Sequence, residues 1–340
     1  METQGPVSGP YLMRLSNRFI AIAGSGALAL VPLAATALGQ EYYISFFSRI
    51  LVYAIAAVSL DLLLGYAGMV SLGHAAYVGV GAYVVGIFFY HSSMAEPLFT
   101  WPFVCNGSEN GLVVLPLAVI VSALFAVVFG ALSLRTKGMH FIMITLAFAQ
   151  MLYYFFVSLD TYGGGDGLSL YSRSALPGLD LGEDVQFYYL CLGLLVLFLL
   201  FCFRLVNSRF GLVIRGGCDN ERRLKALGVN VFAYRLVCFM IAGAGAGLAG
   251  ALMANQTEYV SPGLMHWTLS GELMVMVLIG GMGTLFGPVV GAAVFLSLEE
   301  ILAMATAHWM VYMGPFLVLV VVFARNGIFG LITSKRGSND

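Results

Sequence analysis

Apolar runs long enough to cross a bilayer follow one another along most of the chain, and the polar residues gather in the short stretches between them. The runs lie near 19–39, 43–64, 73–90, 112–133, 139–158, 187–206 and 233–254. A longer apolar region, 271–325, is interrupted by a glycine-rich break at 280–288. A hydrocarbon core about 30 Å thick takes roughly 20 apolar residues per helix. Each run therefore predicts a membrane-spanning helix, and the interrupted region predicts about three shorter passes. The total is about ten spans, or eight if the passes around 280–288 are re-entrant. The ten-residue alternating segments of a membrane β-barrel do not occur. The predicted fold class is an all-α, polytopic transmembrane helix bundle.

Composition agrees with the pattern: 60% of residues are hydrophobic and 10% charged, against roughly 25% charged in a soluble domain. The net charge of −1 hides a segregation of sign. With ten spans, Arg14, Arg18, Arg135, Lys137, a basic stretch at 207–230, Arg325, Lys335 and Arg336 all fall on one face. The excess of Lys and Arg makes that face cytoplasmic, with both termini on it. The other face receives Glu41, Glu96, Glu109, Asp160, Asp166, Asp180, Glu183, Asp184 and Glu258, with Arg173 as its clear basic residue. The expected organisation is a cytoplasmic tail at 1–18, a single transmembrane domain at 19–325 and a second tail at 326–340. The domain carries an outer loop at 159–186 and a cytoplasmic loop at 207–231. Five cysteines without metal or CxxC spacing read as buried thiols.

The cytoplasmic loop is more than a topology signal. Asn207 or Ser208 can cap a helix over 209–214, with Gly216-Gly217 as its stop. Asp219 and Asn220 can cap a second helix, Glu221 through Leu227, which Gly228 ends. That helix pairs an apolar edge (Leu224, Leu227) with Arg222, Arg223 and Lys225. A segment that only meets anionic lipid needs neither the acids, the glycine punctuation nor the apolar edge. A docking helix for a cytoplasmic partner uses all of them.

Two glycine-rich breaks share a pattern, one from Gly65 to Tyr83 and one from Gly280 to Phe295. Gly68-Met69 opens the first and Gly281-Met282 the second, and Gly81-Ala82 and Gly291-Ala292 enter the next helix. Internal repeats of this kind occur in many transporters. Backbone freed at a break inside a membrane is satisfied within the bundle or by a watery cavity. Close helix packing explains the glycines equally well, and the two readings are compatible. Pathway candidates at the breaks are Gly68, Ser71, Gly73, Gly281 and Gly283. To these are added the polar groups within spans: Asp61, one turn before Gly65, His74 and Gln150. For Asp61 and His74 the plainer reading is a hydrogen-bonded structural pair that fixes the broken helix. Glu272, Glu299 and Glu300 are expected near interfaces.

No HExxH, GxSxG or GxxxxGK[ST] occurs, so no catalytic set stands out and no P-loop lets the chain hydrolyse ATP itself.

The segments GYAGMVSLGHAAYVGVGAY, LRTKGMHFIMITLAFAQM, DNERRLKALGVNVFAYRL and LMVMVLIGGMGTLFGPVVGA, in this order, resemble the permeases of bacterial branched-chain amino acid ABC importers, in particular the M-type permease. Related permeases serve urea, short-chain amides and aromatic acids. The resemblance implies a multi-pass protein of the bacterial inner membrane that moves its solute by alternating access. It implies two ATPase subunits that use ATP and Mg, a second permease (a homologue or another copy), a periplasmic binding protein, and no nucleic acid. It matches Glu221, Ala226 and Gly228 to the coupling motif that fits a groove on the ATPase, without the double alanine after the glutamate. Gln150 stands where many relatives carry an acid. Asp180, Glu183 and Asp184 are the candidates for docking the binding protein. The rival readings are a secondary transporter or channel driven by an ion gradient, for which Asp61 and the glycine breaks speak, and an intramembrane transferase.

Overall fold

A bilayer offers the peptide backbone no hydrogen-bond partner, so a spanning segment must satisfy its own N–H and C=O groups as a helix. The computed structural model describes residues 28–33, 35–36, 39, 42–94, 97–99, 105–178, 181–306, 308 and 311–315. Its helices are α1 (Tyr42–Asp61), α2 (His74–Met94), α3 (Gly111–Ser133), α4 (Met139–Val157) and α5 (Asp184–Val206), followed by α6 (Arg209–Asp219), α7 (Glu221–Ala226), α8 (Val231–Thr257), α9 (Trp267–Gly280) and α10 (Gly287–Ala305). Among the described residues, seven helices are long and apolar enough to cross a membrane: α1 with its extension to Tyr66, then α2, α3, α4, α5, α8 and α10. The shorter α9 has 14 residues. The protein is therefore an all-α membrane bundle.

The predicted runs from 43 to 254 coincide with α1 to α5 and α8. The interrupted region divides into α9 and α10, with a helical turn at 311–315 beyond them. Most of the first predicted span, all residues beyond 315 and Asp180 lie outside the described residues.

Three helices form the centre. In α1, α2 and α8 the membrane-length windows are 78%, 78% and 67% buried, whereas those of α3, α4, α5 and α10 are 28% buried. The central helices approach closely because glycine lines their contacts. A Cβ on Gly250 of α8 would collide with the carbonyl oxygen of Val78, and one on Gly81 of α2 with that of Gly247. On the far side of α8, Gly243 and Gly247 receive Ala126 and Ser122 of α3. This is the packing that small residues allow in membranes, where dispersion contacts replace the hydrophobic effect as the driving force. The outer helices leave Ile120, Leu124, Val128, Met143, Leu197 and Leu200 exposed, as surfaces bathed in lipid or covered by protein do.

The two ends of the bundle differ. Lys137, between α3 and α4, bonds to Glu221 of α7, so two of the basic stretches expected on one face, 135–137 and 207–230, share one end, while Arg14, Arg18, Arg325, Lys335 and Arg336 lie outside the described residues. At the opposite end, β3 (Leu168–Ser169) pairs antiparallel with β4 (Tyr259–Val260). Nearby, Asn255 accepts the Ser174 N–H at 2.7 Å and Gln256 bonds to the Ser45 carbonyl at 2.9 Å. A second small pair, β1 (Pro97–Phe99) with β2 (Cys105–Asn106), follows α2.

The close α2–α8 contact generates a stability prediction. Gly250→Leu lowers the unfolding free energy in detergent by about 1–3 kcal/mol or more, the cost of overpacking a fitted contact. Gly193→Ala on α5, where a Cβ meets nothing within 4 Å, stays within about 0.5 kcal/mol of the parent. Equal thermal stability of the two variants contradicts the glycine-mediated core.

Candidate functional site

The two glycine breaks meet in space. Helix α1 widens into a π-helical segment, Leu62–Tyr66, and the chain turns at Gly68, where φ is 64°. Gly65 lies against Gly283 so closely that a Cβ would overlap the Gly283 nitrogen. Asp61, 1% exposed, accepts the Gly283 N–H at 2.8 Å through Oδ1. Gly281 and Gly283 take positive φ values of 113° and 72°, which suit glycine and few other residues. The carboxylate of one break thus serves the free backbone donor of the other.

Residues 67–73 run back alongside α1 without helical structure. At the start of α2, His74 Nε2 lies 2.8 Å from Ser59 Oγ. Ser59 sits seven residues before Tyr66, so α2 begins about 10 Å up the bundle from the end of the π segment, at 1.5 Å rise per residue. The unwound stretch is satisfied internally: Met69 N–H donates to the Leu63 carbonyl at 2.8 Å, Gly73 N–H to Ser71 Oγ at 3.3 Å, and Ala75 N–H to Ser270 Oγ of α9 at 2.8 Å. The Thr145 carbonyl of α4 closes over Gly73. Close packing, one of the two readings of the glycines, holds here.

Asp61 and His74 do not form the expected pair. Each bonds to a different partner, Gly283 and Ser59, and His74 Nδ1 is buried with no hydrogen-bond partner. Gln150 lies five residues beyond Thr145 on α4, and its buried Nε2 also has none.

The basic loop forms two helices, as expected, with one correction. Helix α6 passes through Gly216 and Gly217 and ends at Asp219. These glycines do not stop the helix. Leu224 of α7 lies over both, Val231 of α8 packs beside Gly217, and the Gly217 carbonyl accepts Arg235 Nη2 of α8 at 3.0 Å. Ser208 stands at the N-cap of α6 without a side-chain cap bond. Asn220 caps α7 by accepting the Arg223 N–H at 3.1 Å. Gly228, at φ 80°, closes α7 as Val229 N–H bonds to the Leu224 carbonyl at 3.1 Å.

Glu221 is the charged centre of this module. Its Oε2 bonds to Lys137 at 2.7 Å and Arg235 at 3.2 Å, and its Oε1 to Lys225 at 2.8 Å. The hydrogen bonds from Lys137 and Lys225, with the nearby Arg235 charge, outweigh partial burial and pull its carboxyl down to about 2. Reading the sequence alone missed Lys137 and Arg235. Only Arg235 had a local signal, as a cation at the first turn of a predicted span.

The module also touches the first break. A Cβ on Gly68 would collide with Cys218 Sγ of α6, and the Arg215 guanidinium lies 5.7 Å from the Tyr66 ring centroid. Arg215 Nη2 also donates to the Val206 carbonyl of α5 at 2.5 Å. Contacts therefore run from α7 through α6 to Gly68, Gly65 and Gly283.

At the opposite end, Arg173 bonds to Asp184 at 2.7 Å and lies 3.5 Å from Glu258. Its guanidinium also stacks over Phe187 at 4.9 Å. Asp184 is thereby committed within the chain, while Glu183 is exposed.

Apolar helices of membrane length, two helix breaks that meet and a clamped helical loop at the basic end define a multi-pass membrane protein. The chain belongs to the family of branched-chain amino acid transport system permease components, whose sequence model matches residues 42–323. It is 25% identical over 302 residues to the high-affinity branched-chain amino acid transport system permease protein LivM of Salmonella typhimurium, covering 82% of this chain and 68% of that one. The probable LivM of Methanocaldococcus jannaschii is 26% identical over 314 residues, covering 81% and 90%. The autoinducer 2 import system permease protein LsrC of Photorhabdus laumondii is 27% identical over 136 residues, covering 38% and 41%. No solved structure matches the chain.

Two predictions follow from this geometry. Asp61→Ala strands the buried Gly283 N–H and lowers stability by about 1–3 kcal/mol, whereas Asp61→Asn keeps an acceptor and costs less; equal losses in thermal unfolding argue against the bond. A carboxyl held low contributes stability that is complete above its ordinary value of about 4.5 and is lost as pH falls towards about 2. The difference in thermal stability between the parent and Glu221→Gln is therefore largest near neutral pH and closes on acidification.

Proposed function

We propose that this chain is the membrane-spanning permease subunit of an ATP-driven importer in the bacterial inner membrane, moving branched-chain or other hydrophobic amino acids by alternating access. The observation that carries this reading is the family match over 42–323, joined to a loop module built to receive a partner. The LivM relatives align over most of the chain, and the autoinducer 2 relatives over 38% of it. Amino acids are therefore favoured over autoinducer 2 as the cargo.

In this reading two separate ATPase subunits bind ATP with Mg and supply the energy. Their closure displaces α7, and Leu224 carries the motion to α6. Cys218 and Arg215 pass it to the first break at Gly68 and Tyr66. The Asp61–Gly283 bond joins that break to the second one, so both re-entrant corners move together. Transmission asks for fixed contacts, and every step of this route rests on a packed pair or a hydrogen bond. A second permease, homologous or identical, completes the pathway, and a periplasmic binding protein delivers solute at the acidic end. Of the described acids there, exposed Glu183 suits that contact better than Asp184, which is already paired with Arg173; Asp180 stays a candidate from the sequence.

A gradient-driven transporter would want an intramembrane carboxylate available for an ion. Asp61 instead holds a backbone N–H of the other break, a structural task, which speaks against that rival.

The test is uptake into proteoliposomes. The chain assembled with its companion permease and ATPases, and given the binding protein, takes up leucine only with ATP. Gly228→Val, which forces a β-branched residue to φ 80°, leaves the protein in the membrane and cuts uptake at least about tenfold. ATP-independent uptake by the purified chain alone, driven by an ion gradient, would overturn the proposal.

A further inference from the structure

We propose that the seam where α2, α4 and the turn Pro262–Met265 meet is this chain's part of the solute route, and that Gln150 and Tyr83 donate in turn to the carboxylate of the travelling amino acid. This rests on the function proposed above and names the chemistry by which the route would recognise its cargo.

Among the described residues, six buried polar side-chain atoms lack a hydrogen-bond partner, and three of them lie on these two helices: His74 Nδ1, the Tyr83 hydroxyl and Gln150 Nε2. His74 and Tyr83 are themselves 0% exposed. A buried donor without an acceptor is costly, and a buried tyrosine hydroxyl ordinarily finds a partner. Groups left unpaired along one contact between two helices call for an occupant that comes and goes.

Packing fixes their levels. Near the start of both helices the Thr145 carbonyl closes over Gly73. Farther along, the rings of Phe156 and Tyr83 lie 4.2 Å apart. Gln150 falls between these contacts, about 8–9 Å along α4 from each at a rise of 1.5 Å per residue. The turn Pro262–Met265 enters beside the same stretch: a Cβ on Gly79 of α2 would collide with Met265. Tyr153, one turn beyond Gln150 on the same side of α4, packs its ring 5.6 Å from that of His266, which follows the turn. The unpaired groups therefore follow one line up the bundle.

The Gln150 amide nitrogen and the Tyr83 hydroxyl are both donors, and neither carries a charge. A carboxylate is the acceptor that two successive neutral donors suit. They would hold it firmly enough to admit it and loosely enough to let it leave, as a conducting site must. Met265 and Phe156 border the same line and offer apolar contact to a branched side chain. A ring pair and a glycine beneath a carbonyl close the seam in this structure, so parting it sacrifices no hydrogen bond at those contacts.

The experiment uses the whole assembly, with its companion permease, ATPases and binding protein, and reads two quantities: ATP-driven leucine uptake in proteoliposomes, and thermal unfolding of the solute-free assembly. Tyr83→Phe keeps the ring against Phe156 and removes only the hydroxyl; Gln150→Leu removes the amide. Each lowers uptake about three- to tenfold, the worth of one hydrogen bond to a charged group, while the unfolding temperature stays level or rises. Gln150→Glu sets a like charge against the carboxylate and lowers uptake below Gln150→Leu. Uptake equal to the parent in both Tyr83→Phe and Gln150→Leu overturns the proposal. So does a fall in unfolding temperature in both, which would mean that ordered water already satisfies these groups in a structural role. Uptake restored to the parent's level by Gln150→Glu overturns the carboxylate as the recognised group. If the parent assembly takes up no leucine with ATP, the proposed function itself fails, which separates the two failures.

Discussion

The refusal of a bilayer to solvate a peptide group is the constraint on which this structure turns. Among the described residues seven helices are long and apolar enough to meet it, but the chain also interrupts itself at 67–73 and at 281–286. Each interruption frees backbone donors that must be met from within. The solution is to put the interruptions against each other. Asp61 accepts from Gly283, Ser270 from Ala75, and Cys238 Sγ meets the Leu62 carbonyl of the π segment at 3.5 Å. The glycines at 65 and 283 allow that approach. The two breaks are joined at Asp61 and Gly283, and α8 and α9 supply the remaining partners of the first.

The same economy governs the basic end. Helix α7 has six residues, far too few to persist alone in water. It exists because Leu224 has two glycines to cover and because Glu221 gathers cations from three places: its own helix, the α3–α4 connection and the base of α8. Pairs this exposed contribute only about 0.2–1 kcal/mol each. Together they fix orientation more than stability. A short helix held by three separate elements cannot turn without moving at least one of them.

Much of this was legible in the sequence, for identifiable reasons. Spans 43–254 follow from apolar length, and the two loop helices from Asn220 and Gly228, because these are local signals. The pairing of the breaks was visible only as a shared pattern, Gly-Met followed by Ser or Thr and Leu; that they touch is a tertiary fact. Gly216-Gly217 looked like a helix stop because each glycine costs a helix roughly 1 kcal/mol, yet α6 runs through them to Asp219 with Leu224, Val231 and Arg235 against them. Glu221 looked like a surface residue of a docking motif because its cations lie 84 and 14 residues away. No local rule connects Lys137 to it. Asp61 and His74 were read as partners from their nearness to one break, whereas the fold gave each a donor or acceptor from elsewhere.

Helix α9 carries one more implication. Fourteen residues span about 21 Å, well short of a hydrocarbon core of about 30 Å. Its last residues sit beside the end of α1, so its first must begin below the opposite surface. Met265, just before it, is indeed fully buried against Gly79 of α2. The chain between β4 and α9 therefore enters the bundle through the 3-10 turn Pro262–Met265, so the polar backbone of that end reaches deeper beside α9 than beside the longer helices.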